Sequence, residues 1–272
     1  MHRITPIAFA ICAALATCPV FAEDTAADTA RAVMKAQRQN VVTVRIAAKV
    51  RISAADAGSF DTDLVVEATG FLLDPRGLVV ASLNATDPQK FYESYLEGEE
   101  DADQYELSTE ISSMSVIFDN GNEVSAEPGL RDSDLDLWYF VLEGAAPQGS
   151  AVRAAKGEPQ PFDSLVMLRR LGDVSGRVCA GVIVPVQAVV EKPRRFYIIS
   201  NDVTVGLGEP VFDLNGHCVG LVTYRQIKSG GGETYFLFSG EDSYSAVIVL
   251  PLSDVMEGAV QHPKFRDLTA GE

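Results

Sequence analysis

The sequence predicts a mainly β protein, and three observations carry the prediction. β-Branched and aromatic residues gather in short runs, as suits pleated, half-buried surfaces. Turn-forming clusters separate the runs, among them Asp74-Pro75-Arg76-Gly77, Asn120-Gly121 and Asp213-Leu214-Asn215-Gly216. Apolar residues at helical spacing occur only near the two ends. A chain of 272 residues is long enough for one large or two small domains with a sizeable core.

Residues 1–22 stand apart from this pattern. Arg3 lies near the start, an apolar stretch runs from Ile4 to Thr17, and Val20-Phe21-Ala22 offers a small-residue cleavage site before Glu23. The segment reads as a secretory signal peptide, placing the mature chain in the periplasm or outside the cell, and it is too short to span a membrane. A second reading takes Leu15-Ala16-Thr17-Cys18 as a lipoprotein signal with Cys18 acylated, although Thr17 departs from the small residue usual there. No later stretch is long and apolar enough to span a bilayer. The formal charge is −16, and cleavage takes away one further positive group, Arg3. That balance argues against nucleic-acid partners, whose phosphates need clustered Lys and Arg, and against anionic lipid. Cys179 and Cys218 remain after cleavage, and a disulfide or two buried thiols fit the sequence equally.

Along the chain, Ala26, Ala30, Val33, Met34 and Gln37 give the segment 23–40 a short helix. The runs VVTVRIAAKVRI and LVVEATGFLL then flank the turn Ala55 to Ser59 as a hairpin. A tight Asp-Pro-Arg-Gly turn joins the second run to the strand Leu78 to Ala81. From Pro88 to Ser113 the carboxylates Glu93, Glu97, Glu99, Glu100, Asp101, Asp103, Glu106 and Glu110 predict a solvated acidic surface loop, and their spacing matches no calcium loop. Tyr92, Tyr95 and Tyr105 within it leave a partner contact open. Asn120-Gly121 marks a further hairpin, and Trp138, the single tryptophan, is a core residue. The Ala-, Gly- and Pro-rich stretch from Ala145 to Pro161 separates two halves. Strand-like runs continue to Pro251, and a short helix near Ser253 to Val260 closes the chain.

The stretch ISNDVTVGLGEPVFDLNGHCVGLVTY, residues 199–224, resembles the nucleophile region of trypsin-like serine proteases, most closely the HtrA/Deg branch. There the segment reads roughly T-D-A…G-N-S-G-G-P-L-x-D-x-x-G-x-V-x-G-I. Asp202, Gly208, Pro210, Asp213, Gly216, Val219 and Gly220 keep the pattern, and Leu207 occupies the place of the serine. Thr69 to Ala81 is similar to the family's G-F-I-I-D-P-x-G-L-I-L-T, which leads into the histidine base; Asn84 stands at that position. Asp132-Ser133-Asp134-Leu135-Asp136-Leu137 resembles D-x-x-x-D-L and places the triad aspartate at Asp136. The resemblance runs over residues 41–255 and implies an all-β fold of two six-stranded antiparallel β-barrels with short N- and C-terminal helices. It sets the first barrel at 41–145, with the acidic insertion 88–113, the linker at 146–154, the second barrel at 155–251, and a helix and tail at 252–272. No PDZ domain, common in HtrA proteins, is expected after that helix.

The chemistry implied is that of a degenerate triad. Leu207 has no lone pair, and the Asn84 amide accepts no proton near neutral pH, so Asn84, Asp136 and Leu207 cannot perform acyl transfer. The oxyanion-hole positions are the N–H groups of Val205 and Leu207. Val205 replaces a family glycine, and Glu209 replaces another and adds negative charge. No cofactor and no metal are expected. The resemblance thus implies an exported HtrA-type homologue that is not a catalyst and binds a peptide or protein, with an active HtrA-type protease as one candidate partner. The N-terminal helix fits either a homo-trimer contact, as in relatives, or packing on its own barrel. Alternatives are a serine endopeptidase or other hydrolase with a relocated site, for which Ser229 before Gly230-Gly231-Gly232 offers a faint echo of a nucleophile motif, and a structural envelope protein. His217, beside its turn, is expected in solvent, and His262 in the tail.

Overall fold

The structure, a computed structural model, describes residues 21–54, 58–96, 105–200, 205–228 and 243–268. Cys18, Asp202, Ser229 with the glycines after it, and the carboxylates of residues 97–103 lie outside the described residues. Strands β1 (Val41–Ala54), β2 (Gly58–Asp74), β3 (Leu78–Ser82), β4 (Tyr105–Ile117), β5 (Glu123–Asp132) and β6 (Leu137–Leu142) close into one barrel in the order β1-β2-β3-β6-β5-β4. Strands β7 (Ser164–Arg170), β8 (Cys179–Val190), β9 (Phe196–Ile199), β10 (Pro210–Phe212), β11 (Cys218–Lys228) and β12 (Ser243–Pro251) close a second, ordered β10-β11-β12-β9-β8-β7. Neighbouring strands are antiparallel throughout. The expected pair of six-stranded barrels is therefore the architecture observed.

Alternation along the strands explains why several read as unbroken apolar runs. On β6, Trp138, Phe140 and Leu142 face the interior of the first barrel, while Leu137 and Tyr139 face the second barrel. On β7, Leu165 and Met167 fill the second barrel, and Val166 and Leu168 join the shared layer between barrels. Side chains that alternate across a strand buried on both faces are apolar at every position. In the shared layer Phe71 meets Phe212 edge to face at 5.7 Å.

The turns follow their chemistry. Gly77 closes the Asp-Pro-Arg-Gly turn at φ 104°, and Gly121 closes the β4–β5 hairpin at φ 82°, backbone that a side chain disfavours. Helix α1 (Phe21–Gln37) lays Val33 into the shared layer, and Gln37 Nε2 donates to the Gly216 carbonyl at 2.7 Å, so it packs on its own barrels. A one-turn helix α2 (Leu83–Thr86) follows β3. The segment between the barrels is bonded to both: Val152 N–H donates to the Leu73 carbonyl, and Ala155 N–H to that of Cys218. The C-terminal helix α4 (Leu252–Ala259) carries Val255, whose carbonyl accepts from the buried Tyr139 hydroxyl at 2.6 Å.

The described residues of the acidic segment 88–113 are helix and strand. Pro88–Leu96 forms α3, with Asp87 Oδ1 accepting from Gln89 N–H at its start. From Tyr105 the chain is already β4, paired with the distal half of β1, where Glu110 lies opposite Lys49 and Glu106 opposite Ser53. The charge count concealed a period of two, since half-buried Leu107, Thr109 and Ile111 alternate with exposed Glu106, Ser108 and Glu110.

Cys179 and Cys218 are free thiols, the first half-buried and the second buried. Burial raises both pKa values, which suppresses the reactive thiolate. A maleimide reagent at neutral pH is expected to leave Cys218 unmodified and Cys179 slow to react until denaturant is added. Peptide mapping checks this, and rapid modification of Cys218 in the native protein would contradict its burial.

Candidate functional site

The site is built where the end of β3 meets the start of β6. Ser82, the last residue of β3, caps α2 by accepting from Ala85 N–H, which turns the chain and presents Asn84 toward Asp136. Asp136 precedes β6 at φ 59°, a left-handed backbone that Asp tolerates better than most residues. Its carboxylate is 1 % exposed and accepts four hydrogen bonds. Oδ2 receives the Ser82 hydroxyl at 2.7 Å and Tyr224 N–H at 2.8 Å; Oδ1 receives Asn84 N–H at 2.7 Å and the Asn84 amide at 2.8 Å. Burial raises the Asp136 pKa, and these four donors oppose it. Tyr224 lies on β11, so the carboxylate also joins the barrels.

Asn84 thus donates to Asp136 as an imidazole N–H would, but its remaining side-chain atom is a carbonyl oxygen with no useful basicity. Leu207 is half-buried and packs on the interior cluster of the second barrel. The loop that carries it touches the strand leading to Asn84: at Gly208, φ 81°, an added Cβ would stand 2.5 Å from the Thr69 carbonyl and 3.1 Å from Ser82 N. Leu207 and Ala85 line one cavity of about 240 Å³. The fold therefore joins Asn84 to Asp136 and sets Leu207 in the wall of a cavity shared with Ala85, the chain neighbour of Asn84.

Val205, half-buried like Leu207, packs with it against the interior cluster of the second barrel. Glu209 does more than add charge. It is 2 % exposed, and its Oε1 accepts from Gly206 N–H at 3.0 Å and faces Arg169 Nε at 3.6 Å. Burial pushes its carboxyl up to about 7, against the attraction of Arg169 and the Gly206 N–H. A Cβ on Gly206 would stand 2.3 Å from Oε1, far inside van der Waals contact, so Gly206 has given up its side-chain space to the glutamate.

Sequence reasoning missed Ser82 and Arg169. Ser82 had a signal, a hydroxyl three residues before a free helical N–H; Arg169 had none, since only the loop's course past β7 brings it to Glu209. His217 also differs from expectation: it is half-buried, with Nδ1 3.3 Å from Asp213 Oδ2, because the hairpin folds the two together. His262 Nδ1 accepts from Lys264 N–H in the tail.

No protein-family model and no curated protein matches the chain. Solved structures do. A crystal structure of Rv3671c from M. tuberculosis H37Rv, a serine-to-alanine mutant in its inactive form, superposes with a TM-score of 0.51 and 16 % identity, covering 84 % of this chain and 90 % of that one. The fold is a trypsin-like double barrel. A second crystal structure, of the Rv3671c protease in its inactive form, has a TM-score of 0.49 and 16 % identity, over 84 % of this chain and 91 % of that one. Among the described residues no helix is long and apolar enough to cross a membrane.

Proposed function

We propose that the chain is an exported HtrA-type homologue of a trypsin-like protease that does not cleave peptides but binds a peptide or protein segment in the cleft between its barrels. The observation that carries this reading is the state of the cleft. The carboxylate at Asp136 retains a full set of donors, while the two groups that would perform chemistry are Asn84 and Leu207. Acyl transfer needs a nucleophilic oxygen or sulfur and a proton acceptor beside it, and neither position offers one. What persists is a shaped surface between two rigid barrels, a place to hold an extended chain. An active HtrA-type protease is one candidate source of that chain.

The test is a fluorophosphonate probe with a casein assay on the purified protein. No labelling and no turnover are expected. Leu207→Ser combined with Asn84→His is expected to stay weak, because Val205 and the Gly206–Glu209 contact leave the oxyanion loop unlike that of an active enzyme. Labelling or turnover by the natural protein would refute the reading, and robust turnover by Leu207→Ser alone would show that the rest of the site is intact.

A further inference from the structure

We propose that the cavity under Leu207 is a recognition pocket for a protonated primary amine, held by Glu209. The proposal rests on the reading of the cleft as a peptide-binding site and names the group it selects. Two polar atoms beside this cavity are buried without a hydrogen-bond partner, Glu209 Oε2 and Thr43 Oγ1. Glu209 and Thr43 are 2 % and 3 % exposed, and both belong to the cavity wall. Buried polar atoms are nearly always paired, and an unpaired carboxylate oxygen is costly, so a ligand that satisfies it gains what the free protein forgoes.

The neighbouring charges decide what kind of ligand this is. Arg169 and the Gly206 N–H both address Oε1 and leave Oε2 over. Arg170, also in the wall, is consumed: its guanidinium donates to the carbonyls of Val41, Arg38 and Arg177 and pairs with Asp119 at 2.8 Å. Glu67 is held by Arg177 at 2.6 Å. The cavity therefore offers an anion no uncommitted cation, and a carboxylate oxygen and a hydroxyl without partners are buried in its wall, where a small side-chain shift would turn them to a donor. An ammonium group, with three donors and no acceptor, complements both. About 240 Å³ is below the range of drug-sized ligand sites and suits one aliphatic side chain ending in such a group. The chemistry is shared by a lysine side chain and by the free amino terminus of a peptide. Glu209 must be ionised to hold it; the groups that act on that carboxyl are Arg169 of β7 and the Gly206 N–H, while Arg170 of β7, Glu67 and Thr69 of β2 and Thr43 of β1 line the same cavity.

The experiment is an NMR titration of the isotope-labelled full chain with n-butylammonium and, as its neutral counterpart, n-butanol. Three peptides serve as competitors: one amino-acetylated with a single lysine, one lysine-free with a free amino terminus, and one with both amines blocked. The ammonium is expected to shift the Gly206 and Glu209 amides and the alcohol to leave them. Its affinity should fall about tenfold or more in Glu209→Gln and several-fold in Thr43→Val, losses typical of a charge-assisted and a neutral hydrogen bond. It should also weaken from pH 8 to pH 6. Whichever free-amine peptide displaces n-butylammonium identifies the source. Equal shifts with the alcohol, or undiminished binding in a folded Glu209→Gln protein, overturn the amine pocket. If the blocked peptide binds as tightly as the others, the amine pocket fails and the peptide cleft stands. If n-butylammonium binds and no peptide does, the pocket stands and the peptide reading fails.

Discussion

Asp136→Asn is expected to cost about 3 to 5 kcal/mol of folding stability, although it keeps the side chain's size and changes no group exposed to solvent. The carboxylate oxygens accept four donors, two each. An amide oxygen can take over two of them. The amide nitrogen then faces the other pair donor to donor, leaving at least two buried N–H or O–H groups without an acceptor. Each such group costs about 1 to 3 kcal/mol. Asparagine tolerates φ near 59°, so the substitution tests the carboxylate and not the backbone. Urea unfolding followed by the fluorescence of the buried Trp138 measures it, with a fall in melting temperature of roughly 10 °C for a chain of this size. A loss below about 1 kcal/mol would show that the donors find other acceptors.

Glu209→Gln should do the opposite at alkaline pH. In the unfolded chain the Glu209 carboxyl titrates near 4.5, and in the fold it is pushed up to about 7. Between those values the folded protein holds the proton that the unfolded chain has released. The contribution to stability is therefore complete below pH 4.5 and is lost as pH rises through 7. Glutamine keeps an acceptor for the Gly206 N–H and has no proton to lose. The variant is expected to match the parent near pH 5 and to exceed it by about 2 to 3 kcal/mol at pH 8, an order-of-magnitude figure from that shift. Denaturation at a series of pH values checks it. Parallel pH curves for the two proteins would mean that the ionised carboxyl is better satisfied than its one donor and distant arginine suggest. Asp136, whose pKa burial also raises, contributes a slope of the same sign in both proteins, so the difference between them isolates Glu209.

These two residues also mark how far the sequence could be read. Asp136 was legible because its motif fixes its place before β6, and the Asn84 contact follows from chain order. The barrels were legible because a strand buried on both faces, as β6 is, leaves a run that no helix of the same length would need. The acidic stretch misled because net charge was weighed above alternation: Leu107, Thr109 and Ile111 carry the strand signal at every second position. The place of Glu209 was legible as added charge beside the loop, but its burial was not, because only the empty side-chain space of Gly206, with Arg169 arriving from β7, lets it turn inward.

The tail fastened to the first barrel sets a timetable for folding. Tyr139 donates to the Val255 carbonyl, Arg76 pairs with Asp267, and Lys264 Nζ donates to the Arg76 carbonyl, while Phe265 and Leu268 complete the apolar layer over β3 and β6. Contacts between residues so far apart in the chain close the longest loops and form late. During synthesis the first barrel emerges with Leu78, Val80 and Leu137 uncovered, and it waits for nearly the whole remaining chain before those side chains leave water. The residues that seal the layer over β3 and β6 therefore arrive long after the strands they cover.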